Sequence, residues 1–357
     1  MAVGLPGNHF KKMNRKIKLG GRIIGNNFTP FIIAEIGINH EGDFNKAIMM
    51  IDDAYKAGCE CVKFQCHIIE DEMIPTDIIP ENANESIWDI MARCALTEDE
   101  EIKLKQYVES KNMIFLSTPF SRAAANRLQE MGVKAFKIGS GECNNYPLIE
   151  HIASFNKPII LSTGMNDINS IRPAVEIIRD ANIEFALLHC TSMYPTPYSF
   201  VRLRALNELQ IEFPDAILGL SDHSIGNYTS FAAVALGANI IEKHFVSDKN
   251  WVGPDVPISI TPIELEDLIK GSNAIFKSIG GEKIVLKEEG PTIDFAYSSV
   301  VSISNIRAGE KFSNKNIWVK RPGTGEILAT DFQKVLGKKS RLDIQKNVQI
   351  KWSDIRN

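Results

Sequence analysis

Neither sign of charge is in excess along this 357-residue chain: 40 Lys and Arg stand against 44 Asp and Glu, a formal net charge of −4. Proteins that hold nucleic acid or an anionic membrane by general electrostatics carry a basic surplus, so neither partner is expected, and an anionic substrate needs a local basic pocket. Cysteine is sparse as well. Cys59, Cys61, Cys66, Cys94, Cys143 and Cys190 form neither a disulfide-dense pattern nor paired CxxC motifs, which predicts reduced thiols, mostly buried. Cys59 and Cys61 lack the further partners that a thiolate metal site wants. No apolar run reaches membrane-spanning length, and the N-terminal stretch to Gly21 carries charges where a signal peptide needs an apolar core. The expected compartment is therefore cytoplasmic. A hydrophobic fraction of 44% with 24% charged residues excludes disorder-type composition and allows a sizeable core.

Short runs rich in Ile, Val and Phe alternate with longer amphipathic segments, the pattern of parallel strands buried on both faces and joined by helices. Eight such runs are present: Phe31 to Gly37, Cys61 to Cys66, Ile114 to Pro119, Ala135 to Ser140, Pro158 to Thr163, Phe185 to Thr191, Ala216 to Ser221 and Asn239 to Phe245. Helices are predicted between them, among them Phe44 to Ala57, Thr97 to Ser110, Arg122 to Met131, Ile168 to Ala181 and Asn227 to Leu236. Eightfold alternation closes into a (β/α)8 TIM barrel. The competing doubly wound sheet would show a glycine-rich dinucleotide turn after the first strand, where this chain has Glu35-Ile36-Gly37-Ile38-Asn39-His40.

Four regions follow. Residues 1–30 read as an N-terminal extension whose Lys16 to Ile24 stretch, centred on Gly20-Gly21, forms a hairpin able to plug one barrel end. Residues 31–280 form the barrel, 281–297 a charged linker, and 298–357 a small, mostly β domain with strands at Ser298 to Ile303, Asn316 to Lys320 and Val348 to Trp352. About 60 residues make a marginal core, so this last module is expected to lean on another surface. The long connection from His67 to Ile87, with Pro75, Pro80 and several acids, is expected over the barrel mouth.

Barrel enzymes place their chemistry at the C-terminal ends of strands, so polar residues ending greasy strands are informative. They are Glu35, Asn39 and His40; Lys63 and Gln65; Ser117 and Thr118; Lys137 and Ser140; Ser162 and Thr163; His189, Thr191 and Tyr194; Ser221, Asp222 and His223; and Glu242 and His244. Residues two apart share a strand face, which pairs Lys63 with Gln65 and Glu242 with His244. Lys63 and Lys137 near the hydroxyls of Thr118, Ser140, Ser162 and Ser221 point to a pocket for a small phosphorylated anion. The alternative is structural pairing of these lysines with Glu35 or Glu142. His223 and His244, ending adjacent strands, form a candidate site for one divalent ion with water or substrate in the remaining positions; manganese, cobalt, zinc and magnesium all suit nitrogen and oxygen donors without thiolate. Two core histidines bonded to backbone are the alternative there.

The motifs GINHEG (Gly37 to Gly42), KFQ (Lys63 to Gln65), STPFS (Ser117 to Ser121), KIGSGE (Lys137 to Glu142), LSTGM (Leu161 to Met165), YPTPY (Tyr194 to Tyr198), GLSDHS (Gly219 to Ser224), EKHF (Glu242 to Phe245) and GPD (Gly253 to Asp255) resemble, in order, those of the sialic acid (N-acetylneuraminate) synthase family. WVKRPGTG, Trp318 to Gly325, resembles that family's C-terminal SAF, or antifreeze-like, module. The resemblance implies condensation of phosphoenolpyruvate with N-acetylmannosamine and release of phosphate. It implies a divalent metal, manganese above cobalt or magnesium, on His223 and His244. Phosphoenolpyruvate would lie on Lys63, Thr118, Lys137, Ser140, Ser162 and Ser221. Glu35, Gln65, Tyr194, Glu242 and Asp255 would contact the sugar or handle protons, with Glu35, Lys63, Gln65 and Glu242 the catalytic set. A homodimer is also implied, in which the SAF module caps the partner barrel and Arg321, with Phe295 nearby, reaches the sugar.

One departure bears on substrate. Ser192 stands where close bacterial N-acetylneuraminate synthases resemble each other in having Asn, so a related acid such as N,N'-diacetyllegionaminate is the alternative product. A barrel that makes a 3-deoxy-ulosonic acid from a phosphorylated sugar would require a second phosphate site, and no arginine cluster supplies one. A non-catalytic carbohydrate-binding protein, the remaining alternative, has no need of a metal beside an anion pocket.

Overall fold

The computed structural model describes residues 15–80 and 83–356, and they fall into two compact units that divide after Gly280. Residues 1–14 of the expected extension lie outside the described residues. The hairpin is present as β1 (Lys16–Leu19) and β2 (Arg22–Gly25), antiparallel, with Gly20 at φ +58° in the turn, a conformation glycine adopts without Cβ strain. Ile17, Leu19 and Ile24 are fully buried against barrel-interior side chains that include Phe31, Leu116, Ile160 and Ile240. The hairpin therefore plugs the N-terminal end of the barrel, as the apolar alternation within it implies.

The barrel strands are β3 (Phe31–Gly37), β4 (Cys61–Cys66), β5 (Ile114–Pro119), β6 (Phe136–Ile138), β7 (Ile159–Ser162), β8 (Phe185–Cys190), β9 (Ile217–Asp222) and β10 (Ile240–His244). All pairings are parallel, in the order β5-β4-β3-β10-β9-β8-β7-β6, and β5 lies against β6 to close the ring. Both faces of these strands are covered: every residue of β3, β8, β9 and β10 is buried. That is the physical reason they read as continuous apolar runs. Outward residues such as Ile32, Val62, Phe136 and Leu218 join the helices in the larger core.

Among the described residues these helices pack on that outer face: Phe44–Lys56, Glu98–Ser110, Arg122–Glu130, Tyr146–Ala153, Ile168–Asp180, Ala205–Glu212, Tyr228–Ala235 and Pro262–Ser278. Asp43, Thr97, Ser121, Asp167 and Thr261 each accept a hydrogen bond from the first turn of the helix that follows. Each such cap contributes about 1 kcal/mol. β6 is shorter than expected because the chain turns at Gly139 into the single turn Ser140–Glu142. Among the described residues no helix is long and apolar enough to cross a membrane, and all six cysteines are buried free thiols.

The second unit pairs β11 (Ser299–Ser302) with β12 (Ile317–Lys320), and β13 (Lys339–Ser340) with β14 (Ile355–Arg356), around Val300, Phe312, Ile317, Ile327 and Val335. The strand expected at Val348 to Trp352 does not form. The chain there pairs at one bridge, Gln349 with Val301, between Asn347 at φ +66° and a turn in which the Lys351 amide donates to Asp354 Oδ2 at 2.9 Å. Those two local bends leave too little extended chain for a ladder.

Candidate active site

The strand ends deliver their side chains by alternation. Glu242 and His244 of β10 point into the barrel, so Lys243 between them points out, where its ammonium lies 2.9 Å from Asp222 Oδ2. Thr229 and Ser230 donate to the same carboxylate oxygen at 2.6 and 2.8 Å. Burial would raise the Asp222 carboxyl, yet Lys243 and these hydroxyls hold it below its ordinary value. This outward pair ties β9 and β10 to the helix Tyr228–Ala235. Asp222, grouped by sequence with the strand-end polar residues, is thus structural.

Inside the mouth, two lysines and two glutamates share one buried cluster. Lys63 Nζ lies 2.7 Å from Glu35 Oε2 and 3.9 Å from Glu242 Oε1, and donates to Thr118 Oγ1 at 2.9 Å. Lys137 Nζ donates to Ser162 Oγ at 2.7 Å and lies 3.4 Å from Glu242 Oε1. Ser221 Oγ donates to that same oxygen at 3.1 Å. Structural pairing of Lys63 with Glu35 and an anion-binding role are therefore compatible. Glu142 takes no part, since its carboxylate accepts from Asn145 instead.

The two carboxyls are held in different states. Burial, reinforced by Glu242 and only partly offset by Lys63, pushes Glu35 up to about 7. Burial acts on Glu242 in the same direction, but Lys137 and Lys63 outweigh it and keep that carboxyl below its ordinary value. Burial lowers the Lys137 ammonium, whereas Glu242 and Glu35 overcome burial to raise Lys63. Near neutral pH Glu35 is only partly ionised, so Lys63, which the two carboxylates favour as the ammonium, is incompletely countered.

The imidazoles occupy the neighbouring strand ends. Their ring centroids are 5.3 Å apart, with Tyr194 stacked 4.2 Å from His223 and edge-on to His244 at 6.0 Å. His223 Nδ1 lies 3.0 Å from the Thr191 carbonyl, which accepts its proton, so that in the neutral ring Nε2 is the nitrogen that carries the lone pair. His244 Nδ1 is buried without a hydrogen-bond partner, Asp255 Oδ2 standing off at 3.6 Å. Burial, with the His223 charge adding, lowers His244 well below its ordinary value. Burial raises Asp255 to about 6.

One cavity of about 420 Å³ is lined by Glu35, Lys63, Gln65, Thr118, Lys137, Ser140, Ser162, Tyr194, Ser221, His223, Glu242, His244 and Asp255. All the barrel residues predicted for the site therefore meet in one place. Phe295 and Arg321 belong to the second unit. Phe295 is exposed there on the helix Gly290–Ala296, and Arg321 borders a separate concavity with Lys320, Thr324, Asn347 and Gln349. Other strand-end polar residues line no part of the cavity. Asn39 donates to the Phe245 carbonyl and Ser259, Thr163 to the Leu188 carbonyl and Thr191 to the Phe200 carbonyl, and His189 bonds the Val201 carbonyl.

The sequence reading missed the apolar wall. Ile38, Pro80, Ile87, Ile90 and Met91 line the cavity, most of them from a helix, Ile87–Cys94, that begins where the long connection was expected to end. Its signal was available: Ser86 accepts from the Asp89 backbone, a Ser-x-x-Asp start before an apolar stretch. Cys190 and Gly164 were also missed. A Cβ at Gly164 would stand 2.4 Å from Ser192 Oγ and 2.7 Å from Ser140 Oγ, so only glycine allows Ser140 to accept from the Gly164 amide at 3.0 Å.

A (β/α)8 barrel with paired ammonium groups, hydroxyls and imidazoles at its strand ends, followed by a small β module, is the architecture of a barrel enzyme whose site lies at the C-terminal face of the strands. The chain belongs to the NeuB family, whose model matches residues 50–284, and it carries a SAF domain over residues 297–356. This is the family of sialic acid and related nonulosonic acid synthases, which are condensing enzymes. The chain is 39% identical over 319 residues to N,N'-diacetyllegionaminic acid synthase of Campylobacter jejuni, covering 86% of this chain and 94% of that protein. It is 38% identical over 342 residues to an uncharacterised protein of Methanocaldococcus jannaschii, covering 95% and 98%. N-acetylneuraminic acid (sialic acid) synthetase of Leptospira borgpetersenii serovar Hardjo-bovis, solved with citrate, superposes at TM-score 0.72 and 35% identity over 79% of this chain and 96% of that one.

Proposed function

We propose that the protein condenses phosphoenolpyruvate with an open-chain N-acetylated amino sugar to give a nonulosonic acid and inorganic phosphate. The observation that carries this reading is the convergence of Lys63 and Lys137 with His223 and His244 in a single buried cavity. Lys63 and Lys137, with Thr118, Ser140, Ser162 and Ser221, bind the phosphate and carboxylate of phosphoenolpyruvate as charge-assisted donors. Its C3 bonds to the aldehyde carbon, the aldehyde oxygen takes a proton, water adds at C2, and the C2–O bond breaks to release phosphate. Glu35, raised to about 7, is poised to exchange a proton with the aldehyde oxygen or the water, while Glu242 stays ionised and holds both lysines toward the anion. Gln65, Tyr194 and Asp255 orient the sugar.

The imidazoles suit a divalent ion, manganese first, on the His223 Nε2 lone pair and the unpartnered His244 ring. Among the described residues no group of three or more His, Cys, Asp or Glu is gathered for ligation, so water and substrate would complete the coordination. When bound, such an ion supplies Lewis-acid polarisation of the aldehyde oxygen.

N-acetylmannosamine, giving N-acetylneuraminate, is the first acceptor to test. The diacetylated 6-deoxy analogue, giving N,N'-diacetyllegionaminate, is the second reading, favoured by Ser192 at the cavity wall and by the 39% identity to the Campylobacter jejuni enzyme. The cytoplasm is the proposed location. A homodimer whose SAF domain brings Arg321 and Phe295 to the partner's sugar is the proposed assembly, supported by the small core of that domain. The test is phosphate release and product mass from purified protein with manganese, phosphoenolpyruvate and each sugar. Release with one sugar and the matching mass is expected; phosphate release with neither refutes the assignment.

A further inference from the structure

The cavity takes Pro254 and Asp255 from the connection that follows β10, and that connection is a closed loop. It leaves at Phe245 and returns at Ile260, where the two residues form a parallel bridge. There the Val246 amide donates to the Ile260 carbonyl at 3.0 Å and the Ile260 amide to the His244 carbonyl at 2.7 Å. Within the loop, Lys249 Nζ donates to the carbonyls of Val256 and Pro257 at 2.9 and 3.1 Å. From outside it, Lys46 Nζ lies 5.0 Å from the centroid of the Trp251 ring. None of these contacts is made by Asp255, whose carboxylate stands 3.6 Å from His244 Nδ1, beyond a direct hydrogen bond. Where that carboxylate points is therefore set by the backbone that carries it.

Asn39 reaches that backbone through one hydroxyl. Its Nδ2 lies 2.9 Å from the Phe245 carbonyl and 2.8 Å from Ser259 Oγ, and Ser259 Oγ lies 2.7 Å from the Asp255 carbonyl. The direction of each bond follows from its ends. The Phe245 carbonyl only accepts, so the amino end of Asn39 faces it rather than the oxygen. Both N–H groups of that end are then engaged, one with Phe245 and one with Ser259. Ser259 has a single proton, and with Asn39 donating to its oxygen that proton goes to the Asp255 carbonyl. Turned over, the Asn39 amide would set its oxygen against Phe245 and draw the Ser259 proton to itself, releasing Asp255. Asn39 and Ser259 are both buried, and Asn39 Oδ1 has no hydrogen-bond partner among the described residues, so the amide is held by the bonds it donates.

We propose that Asn39 and Ser259 are positioning residues that latch the loop after β10 and fix Asp255 at the cavity for the acceptor sugar. The same latch holds Phe245, the residue after His244, to the chain just past β3. Carboxylate and imidazole therefore keep one spacing. The effect on the sugar rests on the function proposed above; the latch itself does not.

Two readouts on the full-length protein test this. The first is hydrogen exchange followed by mass spectrometry. Ser259→Ala deletes the hydroxyl with little change of volume, and Asn39→Asp keeps the shape but leaves at most one proton for two partners. Peptides from residues 246–259 are expected to exchange at least about tenfold faster in both variants, while peptides from β3 and β9 keep the wild-type rate. Loop exchange unchanged in Ser259→Ala overturns the latch, whether or not Asn39→Asp folds. The second is a double-mutant cycle in the synthase assay. Ser259→Ala is expected to raise the sugar KM by about tenfold and that of phosphoenolpyruvate by less than about twofold. Asp255→Ala should raise the sugar KM further, and adding Ser259→Ala to it should change nothing more, because a residue that acts through Asp255 then has no carboxylate left to place. Additive losses, or equal effects on both substrates, would assign Ser259 to general packing and overturn the positioning role. If wild type releases no phosphate with any acceptor, the proposed function fails while hydrogen exchange still decides the latch.

Discussion

Replacing Glu242 by Gln isolates the charge balance at the centre of the cavity. Glu242 Oε1 accepts from Ser221 at 3.1 Å and lies 3.4 Å from Lys137 and 3.9 Å from Lys63, while Oε2 is buried without a partner. The amide keeps the volume and can still accept at the first oxygen, so what disappears is one negative charge between two ammonium groups. Removing one member of a buried ion pair costs about 3–5 kcal/mol, and the low end applies because Glu35 remains 2.7 Å from Lys63. At roughly 2–4 °C per kcal/mol, a loss of about 3 kcal/mol lowers the melting temperature by roughly 6–12 °C. The same change makes the cavity a stronger anion site. One charge removed some 5 Å from a bound anion changes its interaction by about 3 kcal/mol at an effective dielectric of about 20, before salt screening, so phosphate should bind the variant at least about tenfold more tightly. Phosphate at about 100 times its Kd would return about 2.7 kcal/mol. Melting curves and isothermal titration with inorganic phosphate read both effects, and turnover should fall at the same time. If Glu242→Gln binds phosphate no more tightly than wild type, the lysines are not the anion site.

Glu35 sets a pH dependence whose sign follows from its raised value. Its carboxyl binds a proton more tightly folded, about 7, than unfolded, 4.5, so its contribution is present below pH 4.5 and is lost as pH rises to 7, about 3 kcal/mol in all; Glu35→Gln should flatten denaturant-derived stability over that window, leaving the smaller slope from Asp255, raised to about 6. An unchanged slope would mean Glu35 is ionised throughout. His223→Ala, or chelation of the wild type, should remove bound manganese by elemental analysis and abolish turnover without unfolding; full activity in chelator would exclude the metal. Arg321→Ala should raise the sugar KM by at least about tenfold and that of phosphoenolpyruvate little, as loss of a charged hydrogen bond costs about 1.5–3 kcal/mol. Equal effects on both would contradict a lid role.

Strand positions were legible because a parallel barrel buries both faces of each strand: β3, β4 and β5 were read with the boundaries they have, since apolar runs there stop at turn or polar residues. The hairpin plug was equally plain from the alternation of Ile17 and Leu19 around paired glycines. In the second unit, where strands are as short as two residues, turn geometry outweighs pattern, and the expected last strand became a single bridge. The helix Ile87–Cys94 follows directly on a proline-containing connection, and its capping residues Ser86 and Asp89 are its one local mark.

The sequence by itself determined the eight-strand alternation, the absence of a general electrostatic surface, and the set of polar residues at strand ends, because each of these is written in local pattern and composition. Which of those polar residues serve the cavity was decided only by the closed barrel. Side-chain direction depends on strand register, so Asp222 and Lys243 turn outward to each other while Ser221 and Glu242, one residue away, turn inward to the lysines. The split between Glu35 and Glu242 is likewise tertiary, for burial and the distances to two ammonium groups come from strands far apart in the chain.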